Sequence, residues 1–511
     1  MTNEKESTEA SCKQTVYYDG SCPMCTRLMK TIDTSSKGQE FSLKDIKTDT
    51  LPPTFTQKAV EKEIHVVGKD GTVYKNAEAI LKIMETYPRW RFLARLGQLP
   101  GIRYFVLPLG YHFISTNRHF LFGTASRVYL LKLVVLVSFL TSLLISSKLW
   151  GTDRLYPLTP IIDNFSSTPP IVSTLLLALL IGSLVGSIFS ARPKVFLWLT
   201  ILSTAALFSL DQARLQPWAY QYVFMLMALS LFSWKYDDEK GKNLTLDLCR
   251  FIVASIYFWS GLQKANPFFV NDIFLWMSTP LMESLQLISE SVFRMIGYAV
   301  PYIEMAIGIG LYLKKFRATA IGLAVAMGVF VLWALGPIGL GFNAVVWPWN
   351  IAMLLFVFIL FPRKETLSVA TLFQSSSLFP KIALLTFGFL PVLSLWNIWD
   401  AYPSWSLYSG TINVAHISME KQTYRALPDI LQKYTIPDEK KSLLSVTRWS
   451  YEELKVPPYP EARVLKNVGR SLCQSLGNPK DMALHLQGRW SWFFADKPET
   501  FSCAELSSSH P

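Results

Sequence analysis

The stretch Val16-Tyr-Tyr-Asp-Gly-Ser-Cys-Pro-Met-Cys-Thr-Arg27 decides the fold of the N-terminal part of the chain. The apolar run from Thr15 to Tyr18 has the composition of a strand, and it ends at the turn-forming pair Asp19-Gly20. Two cysteines follow at once, and residues 26–32 have a helical pattern. The sequence therefore predicts a strand, a turn, a Cys-x-x-Cys pair and a helix in that order.

The predicted position of the cysteines suits thiol chemistry. Cys22 is expected near a helix N-terminus, where unpaired amides and the helix dipole lower the pKa of a thiol and favour the nucleophilic thiolate. Cys25 lies one helical turn deeper and is expected to resolve a mixed disulfide formed by Cys22. Pro23 suits the first helical turn, where a missing N–H costs little. We predict Cys22 and Cys25 as catalytic residues, supported by Asp19 and Pro23.

The cysteine pair has two other interpretations. The pair could be half of a zinc site, but no second Cys-x-x-Cys or Cys-x-x-His follows and the nearest histidine is His65, so no metal site is predicted. The pair could also be two unreactive thiols on a buried turn, and this alternative stays open. Redox chemistry is favoured because strand, turn, cysteines and helix follow one another in the right order.

The N-terminal residues 14–123 resemble the DCC family of thiol–disulfide oxidoreductases, a thioredoxin-like group named for an Asp-Cys-Cys signature. Asp19, Cys22 and Cys25 are the matching positions. Residues 63–74 alternate like a β-hairpin, and a helical pattern follows them. The resemblance implies a thioredoxin-like α/β domain that acts on protein thiols or disulfides.

The chain as a whole has the composition of a polytopic membrane protein. Of its 511 residues, 50% are apolar and 14% aromatic, and the apolar ones are concentrated in runs that approach the roughly 20 residues needed to cross a bilayer. We predict a disordered tail at 1–13, the thioredoxin-like domain at 14–127, a helical membrane domain at 128–400 and a small extramembrane C-terminal domain at 401–511. The predicted spans number nine, or eight if one weak run is not a span: 129–149, 171–190, 194–210, 218–234, 250–266, 296–313, 317–336, 344–361 and 380–397.

The distribution of charge predicts the orientation in the membrane. Lysines and arginines are concentrated in the loops that share the side of the N-terminus, for example Lys314, Lys315 and Arg317, which indicates a cytoplasmic N-terminus in the cell (inner) membrane. The first ten residues are polar, so no signal peptide is expected. The net charge of +12 is then a signal of topology and of contact with anionic lipids rather than of nucleic-acid binding. With nine spans the C-terminal domain lies outside, where Cys473 and Cys503 could form a disulfide or remain thiols.

Four charged residues within or beside the apolar runs are candidates for a membrane site, because such residues are costly there. Glu304 lies in the middle of a predicted span and could be a proton or ligand site, or a structural partner for a basic residue. Lys264 lies at the outer end of a span and could snorkel to the interface or line a cavity roofed by the segment after Pro267. Asp211 and Arg214 lie one helical turn apart in a short connection and could pair locally.

Residues 128–505 resemble the HTTM family, the membrane domain shared with the vitamin K-dependent γ-carboxylases. The resemblance rests on the runs Asp211–Tyr222, Ser260–Lys264, Trp399–Tyr408 and Trp449–Leu454. It implies that Lys264 matches the lysine that serves as catalytic base in the carboxylases, and that a quinone is a candidate cofactor.

Three functions are compatible with these observations. The first is a membrane-anchored thiol–disulfide oxidoreductase with a cytoplasmic Cys-x-x-Cys, coupled to a quinone-like ligand in the membrane domain. The second is a membrane binding or transport protein whose Cys-x-x-Cys domain is a redox sensor. The third is a γ-carboxylase-like, quinone-dependent enzyme that acts through Lys264. The expected partners are the lipid membrane and a protein thiol or disulfide, and no nucleic acid is expected.

Overall fold

A computed structural model of the chain divides into two compact units. The first contains the described residues up to Leu130 together with those between Trp234 and Glu239, and the second contains Leu131–Ser233 and Lys240 onwards. The described residues are 13–20, 22–36, 39–53, 55–56, 60, 63–88, 90–122, 126–162, 165, 168–190, 192–234, 238–284, 289–363, 365–438 and 441–508. Most of the predicted tail at 1–13, with Cys12, lies outside them.

The first unit begins with a small α/β region. Its strands are β1 (Gln14–Tyr18), β2 (Phe41–Asp45), β3 (His65–Val67) and β4 (Val73–Lys75). The sheet order is β2-β1-β3-β4, with β1 parallel to β2 and the other neighbours antiparallel. The helices are α1 (Pro23–Ser36), α2 (Asn76–Thr86), α3 (Arg91–Gly97) and α4 (Leu107–Phe122), the last preceded by a π-helical turn at Ile102–Val106. The strand, helix and hairpin predicted from the sequence are therefore confirmed.

The core of this region joins one face of the sheet to two helices. It is formed by buried apolar side chains from β1, β2 and β3 and from α1 and α2: Val16, Met29, Ile32, Phe41, Val66, Ala79 and Ile83. Burial of one such large side chain contributes about 1.5–3 kcal/mol. This packing fixes α1 on the sheet, so that its N-terminus lies at the end of β1.

The second unit is mostly helical. Its long helices are α5 (Ser126–Ile145, which begins in the first unit), α7 (Pro170–Phe189), α8 (Lys194–Leu210), α9 (Pro217–Leu231), α10 (Glu239–Lys264), α12 (Glu290–Gly310), α13 (Arg317–Leu335) and α14 (Val346–Leu360). Shorter helices are α6 (Ser147–Trp150), α11 (Leu275–Ser284) and α15 (Ala370–Gln374). The last apolar segment is α16 (Leu378–Ala383), continued by a π-helical turn (Leu384–Phe389) and a 3₁₀ stretch (Leu390–Trp396).

Six helical segments in the described residues are long and apolar enough to cross a membrane: Ser126–Ile145, Pro170–Phe189, Glu239–Lys264, Glu290–Gly310, Arg317–Leu335 and Leu378–Trp396. Lys194–Leu210 and Val346–Leu360 are apolar but shorter. Each of the nine predicted spans overlaps a helix, whereas a count of eight or nine membrane crossings is not confirmed. The chain has the helices of a membrane protein.

The C-terminal region returns to an α/β composition. Its antiparallel sheet has the order β6-β7-β5-β8-β9. The strands are β5 (Val414–Met419), β6 (Thr435–Ile436), β7 (Ser442–Ser445), β8 (Ala483–Gln487) and β9 (Glu499–Ser502). The helices are α17 (Lys421–Ala426), α18 (Asp429–Gln432), α19 (Val446–Leu454), α20 (Ala462–Ser475) and α21 (Cys503–Ser508).

Candidate functional site

The turn between β1 and α1 holds the two cysteines at the start of the helix. The backbone N–H of Cys22 donates to the carbonyl of Asp19 (3.1 Å), and the carbonyl of Cys22 accepts from the N–H and the hydroxyl of Thr26 (3.0 and 3.1 Å). Cys22 therefore caps the helix and Cys25 lies in its first turn, where backbone amides lack helical acceptors. Both sulfurs lie in the positive field of a helix N-terminus.

Gly20, two residues before Cys22, lies against Asp45 at the C-terminal end of β2, where there is no room for a larger side chain. Gly20 donates its N–H to the Asp45 carboxylate at 3.0 Å, and a Cβ at position 20 would lie 1.8 Å from Asp45 Oδ2. Asp45 also accepts from the N–H of Lys47 at 3.0 Å. The turn that carries the cysteines is thus fixed to the C-terminal end of β2.

The two cysteines differ in accessibility. The side chain of Cys22 is fully buried, whereas that of Cys25 is half-buried. Cys25 lines a cavity of about 50 Å³ whose other walls include Tyr18, Met29, Ile64 and Tyr111. The cavity is largely apolar and its only cysteine is Cys25 among the described residues that line it. Cys25 is therefore the sulfur that is open to a reaction partner.

The supporting residues predicted from the sequence lie beside this turn. Asp19 is buried, with 6% of its surface exposed, and its carbonyl anchors the N–H of Cys22. Pro23 is the first residue of α1, and its side chain lies outside the described residues. Burial and the nearby Asp45 carboxylate raise the pKa of the Tyr18 phenol, which keeps this wall of the cavity neutral.

A second arrangement of charged side chains lies in the helical unit. The Nζ of Lys264, at the end of α10, is 2.8 and 3.0 Å from the two carboxylate oxygens of Glu304 in α12 and 2.5 Å from the hydroxyl of Ser260. The two side chains of the ion pair are only 14% and 9% exposed. They share a mostly apolar cavity of about 130 Å³ with Tyr257 and Trp349. Two residues that the sequence offered as separate candidates thus form one site.

Two glycines allow the helices that carry this ion pair to approach closely. A Cβ on Gly261 of α10 would lie 2.5 Å from the carbonyl oxygen of Pro301 in α12. A Cβ on Gly308 of α12 would lie 2.6 Å from the carbonyl oxygen of Ala254 in α10. Small residues at such contacts let helix backbones pack against each other in a membrane.

Asp211 and Arg214 lie elsewhere and have structural partners. Both are fully buried and 3.7 Å apart, but their hydrogen bonds run to other groups. Asp211 accepts from Arg154 at 2.5 Å and from the N–H and hydroxyl of Thr159. Arg214 donates to the carbonyls of residues 149, 150 and 207. Neither residue lines the cavity of Lys264 among its described walls.

The C-terminal region contains a disulfide between Cys473 of α20 and Cys503 of α21, with 5.5 Å between the Cα atoms. It joins residues 30 positions apart in the sequence. Of the two states that the sequence left open for these cysteines, the structure has the bonded one.

Sequence analysis missed several buried charges. Arg154 and Glu453 are examples, because their partners lie far away in the chain: Glu453 accepts the backbone N–H groups of Leu155 and Tyr156 at 2.5 and 3.0 Å. Lys132 is fully buried in α5 and donates to the carbonyl of Ser187 at 2.9 Å. A charge within an apolar run is a sequence signal for Lys132, whereas Arg154 and Glu453 lie in polar stretches that carry no such signal.

The geometry of the N-terminal region defines a dithiol site at a helix N-terminus, the arrangement used in thiol–disulfide exchange. The family model of DCC1-like thiol–disulfide oxidoreductases matches residues 16–124. Residues 16–124 are thus similar to a DCC1-like thiol–disulfide oxidoreductase domain, which agrees with the resemblance drawn from Asp19, Cys22 and Cys25. The match does not extend to residues 128–505, whose resemblance to the HTTM family stays a prediction.

No curated protein and no solved structure matches the chain.

Proposed function

We propose that the N-terminal domain catalyses thiol–disulfide exchange through Cys22 and Cys25, in a chain anchored to a membrane by its apolar helices. The observation that carries this proposal is the placement of both cysteines at the N-terminus of α1, beside a cavity, within the matched domain. The succession β1-α1-β2 with parallel strands, followed by an antiparallel hairpin and a helix, supports a thioredoxin-like fold.

The difference in burial supports an order for the two sulfurs. The thiolate of Cys25 attacks a substrate disulfide, forms a Cys25–substrate disulfide and expels the other substrate sulfur as a thiolate. Cys22, after loss of its proton, attacks the Cys25 sulfur and expels the second substrate thiolate. Two electrons reduce the substrate, and the protein is left with a Cys22–Cys25 disulfide that an external thiol reduces. This order is the reverse of the one expected from the sequence, where Cys22 attacks first.

Trapping of the mixed disulfide tests both the reaction and its order. A full-length Cys22→Ser variant should accumulate a disulfide between Cys25 and substrate, because the resolving sulfur is missing. A matched Cys25→Ser variant should accumulate much less. Non-reducing electrophoresis followed by mass spectrometry of the linked peptides identifies the sulfur. Trapping only through Cys22 would reverse the proposed order, and trapping through neither sulfur would argue against the oxidoreductase.

We propose that the chain crosses the cell (inner) membrane nine times, so that the DCC1-like domain faces the cytoplasm and the C-terminal domain lies outside. The excess of lysine and arginine in the loops on the N-terminal side supports this orientation. The disulfide between Cys473 and Cys503 supports it independently, because disulfides persist in oxidising compartments.

A second candidate function is the binding of a quinone-like ligand in the membrane domain. The cavity beside Lys264 and Glu304 measures about 130 Å³, close to the roughly 150 Å³ that accommodates one benzene ring. The cavity is therefore on the scale of a single-ring head group. To donate to a ring carbonyl, the Lys264 ammonium would exchange one of its three hydrogen bonds to Ser260 and Glu304. Trp349, Met353 and Phe330 provide apolar walls.

Fluorescence titration with a short-chain benzoquinone tests this second function. Quenching of tryptophan emission that saturates, and that is lost in Lys264→Met but kept in Lys148→Met, would support it. Quenching that is equal in both variants would contradict quinone binding at Lys264.

Quinone-dependent incorporation of CO₂ that disappears in Lys264→Ala would instead favour the γ-carboxylase-like hypothesis. A loss of function at Glu304 with no effect of Cys22→Ser would favour a binding or transport protein.

A further inference from the structure

A tight turn in the C-terminal domain exposes three consecutive aromatic side chains. It connects β8 to β9, and its tip has the sequence Ser491-Trp-Phe-Phe494. Trp492, Phe493 and Phe494 are 46%, 59% and 55% exposed. Single exposed apolar side chains are ordinary on protein surfaces, but a contiguous apolar patch usually marks a place of contact.

Hydrogen bonds hold this turn in one conformation. The N–H of Ser491 donates to the carbonyl of Phe494 at 2.7 Å, and the N–H of Phe494 donates to the hydroxyl of Ser491 at 3.1 Å. Below the tip, Trp490 and Ala495 form an antiparallel bridge, and the N–H of Trp490 donates to the carbonyl of Thr411. The aromatic side chains are therefore displayed by a structured hairpin.

The turn lies against the end of the last candidate membrane span. The ring of Phe493 stacks on that of Trp396, with 4.8 Å between centroids and 19° between planes. Trp396 is the last residue of the apolar segment Leu378–Trp396. The same segment exposes Leu385 and Phe389 on its outer face, as expected for side chains that contact lipid. Because Phe493 touches the end of this candidate span, a bilayer crossed by the span would have its interface at the level of the tip of the turn.

We propose that the turn Ser491–Phe494 inserts its aromatic side chains into the interfacial zone of the lipid bilayer and so docks the C-terminal domain on the membrane. Tryptophan and other aromatic rings favour this zone, where the ring contacts acyl chains and the indole N–H reaches water or head groups. The occupant of the patch is thus lipid, and the continuity with the end of a span is the reason for choosing it over a protein partner. The proposal does not depend on the chemistry of the cysteines.

A site-specific fluorophore in the full-length protein tests this docking. Phe493→Cys is labelled with an environment-sensitive fluorophore after replacement of Cys12, Cys22, Cys25 and Cys249 by Ser, with the Cys473–Cys503 disulfide retained. The labelled protein is placed in phosphatidylcholine nanodiscs with and without lipids that carry a nitroxide close to the head group. We expect a blue-shifted emission in the bilayer and a loss of intensity with the nitroxide lipid.

The control position is Ile436, whose exposed fraction is close to that of Phe493 but which lies at the other edge of the sheet. Ile436 in β6 is 58% exposed, and β6 is the edge strand farthest from the β8–β9 turn. The label at Ile436→Cys should be insensitive to nitroxide lipids. Phe494→Cys provides a second position in the turn should Phe493→Cys fold poorly.

Two results would overturn the proposal. The first is that nitroxide lipids quench the labels at positions 493 and 494 no more than the label at position 436. This would show that the turn lies in water. The second is a blue shift without quenching by lipid, which would show that protein, such as a second copy of the chain, covers the turn.

Discussion

At the scale of single residues, the glycine before the cysteines is a constrained position. A Cβ on Gly20 would lie 1.8 Å from a carboxylate oxygen of Asp45, which itself holds the turn by two hydrogen bonds to backbone N–H groups. Gly20→Ala should therefore lower the free energy of unfolding by about 1–3 kcal/mol, the range for overpacked sites. Thermal unfolding of the full chain measures this loss of stability.

The matched control for this substitution is Gly101→Ala, since a Cβ at that helical position meets nothing within 4 Å. It should leave stability unchanged or raise it slightly. Equal melting temperatures for the two variants would show that Asp45 does not constrain the turn.

A second prediction at this scale concerns the pH dependence caused by Glu461. Burial and the neighbouring Asp400 carboxylate raise the pKa of Glu461 to about 7, although Arg489 and Arg463 also face it. A folded-state pKa above the unfolded value of about 4.3 means that folding binds a proton. The free energy of unfolding should therefore fall, by on the order of 1–3 kcal/mol, as pH rises through the window from about 4.3 to 7.

Melting curves at several pH values measure this effect. Glu461→Gln should flatten the decline in melting temperature between pH 5 and 8, whereas Glu452→Gln, a substitution at an exposed position in the same domain, should leave it as in the parent. If the melting temperature of Glu461→Gln declines with pH as much as that of the parent, the Glu461 carboxyl is not the cause of the pH dependence.

At the scale of elements, the packing of α10 on α12 determines the membrane site. Gly261→Ala places a Cβ against the backbone of Pro301 and Met305, so it should separate the helices, weaken the ion pair between Lys264 and Glu304, and destabilise the protein by about 1–3 kcal/mol. Gly322→Ala in α13 is the control, because its Cβ would meet nothing within 4 Å. The melting temperatures of the two variants in detergent measure the difference. Identical values would mean that the protein does not require the close approach of α10 to α12.

Local sequence patterns predicted the elements whose signal is local. Alternating apolar residues identified β1 and the hairpin of β3 and β4, and long apolar runs identified the helices of the second unit. Strand β2 was missed because Phe41-Ser-Leu-Lys-Asp45 is short and partly polar and becomes a strand by pairing with β1. The last predicted span is a helix that changes type near Pro391, which lacks the N–H that a regular helix requires.

The pairing of distant residues could not be predicted. Lys264 and Glu304 were each identified as charges in apolar runs, but their contact depends on the approach of two helices at Gly261 and Gly308. The relative burial of Cys22 and Cys25 depends in the same way on side chains from α1, α2 and α4 and from the residues just before β3. Spacing alone indicated the chemistry of the pair and gave no means of ranking the two sulfurs.

At the scale of the whole molecule, the proposed orientation places the two cysteine sites on opposite sides of the membrane. In intact cells, a membrane-impermeant maleimide should leave Cys25 unlabelled. It should label a cysteine introduced in place of the exposed Ile436 in the C-terminal domain, since Cys473 and Cys503 are themselves buried. Cys25 should react only when the cells are permeabilised. Labelling of Cys25 from outside would contradict the orientation, and mass spectrometry of the labelled peptides distinguishes the cases.

The disulfide should also stabilise the C-terminal domain. It closes a loop of 30 residues, for which the loss of chain entropy in the unfolded state corresponds to about 3–4 kcal/mol. A Cys473→Ser/Cys503→Ser variant should melt at a lower temperature than the parent under oxidising conditions and at the same temperature as the parent under reducing ones. No difference under oxidising conditions would mean that the bond is absent.

Thiol–disulfide exchange by this domain requires an activated nucleophilic sulfur at the start of α1, and the rate of alkylation of Cys25 as a function of pH measures that activation. The full-length Cys22→Ser variant is treated with a limiting amount of iodoacetamide, and mass spectrometry quantifies the Cys25 peptide. We expect a half-maximal rate at a pH of about 7 or below, as at other reactive cysteines near helix N-termini. A midpoint at about 8.5, the value of an ordinary thiol, would contradict it.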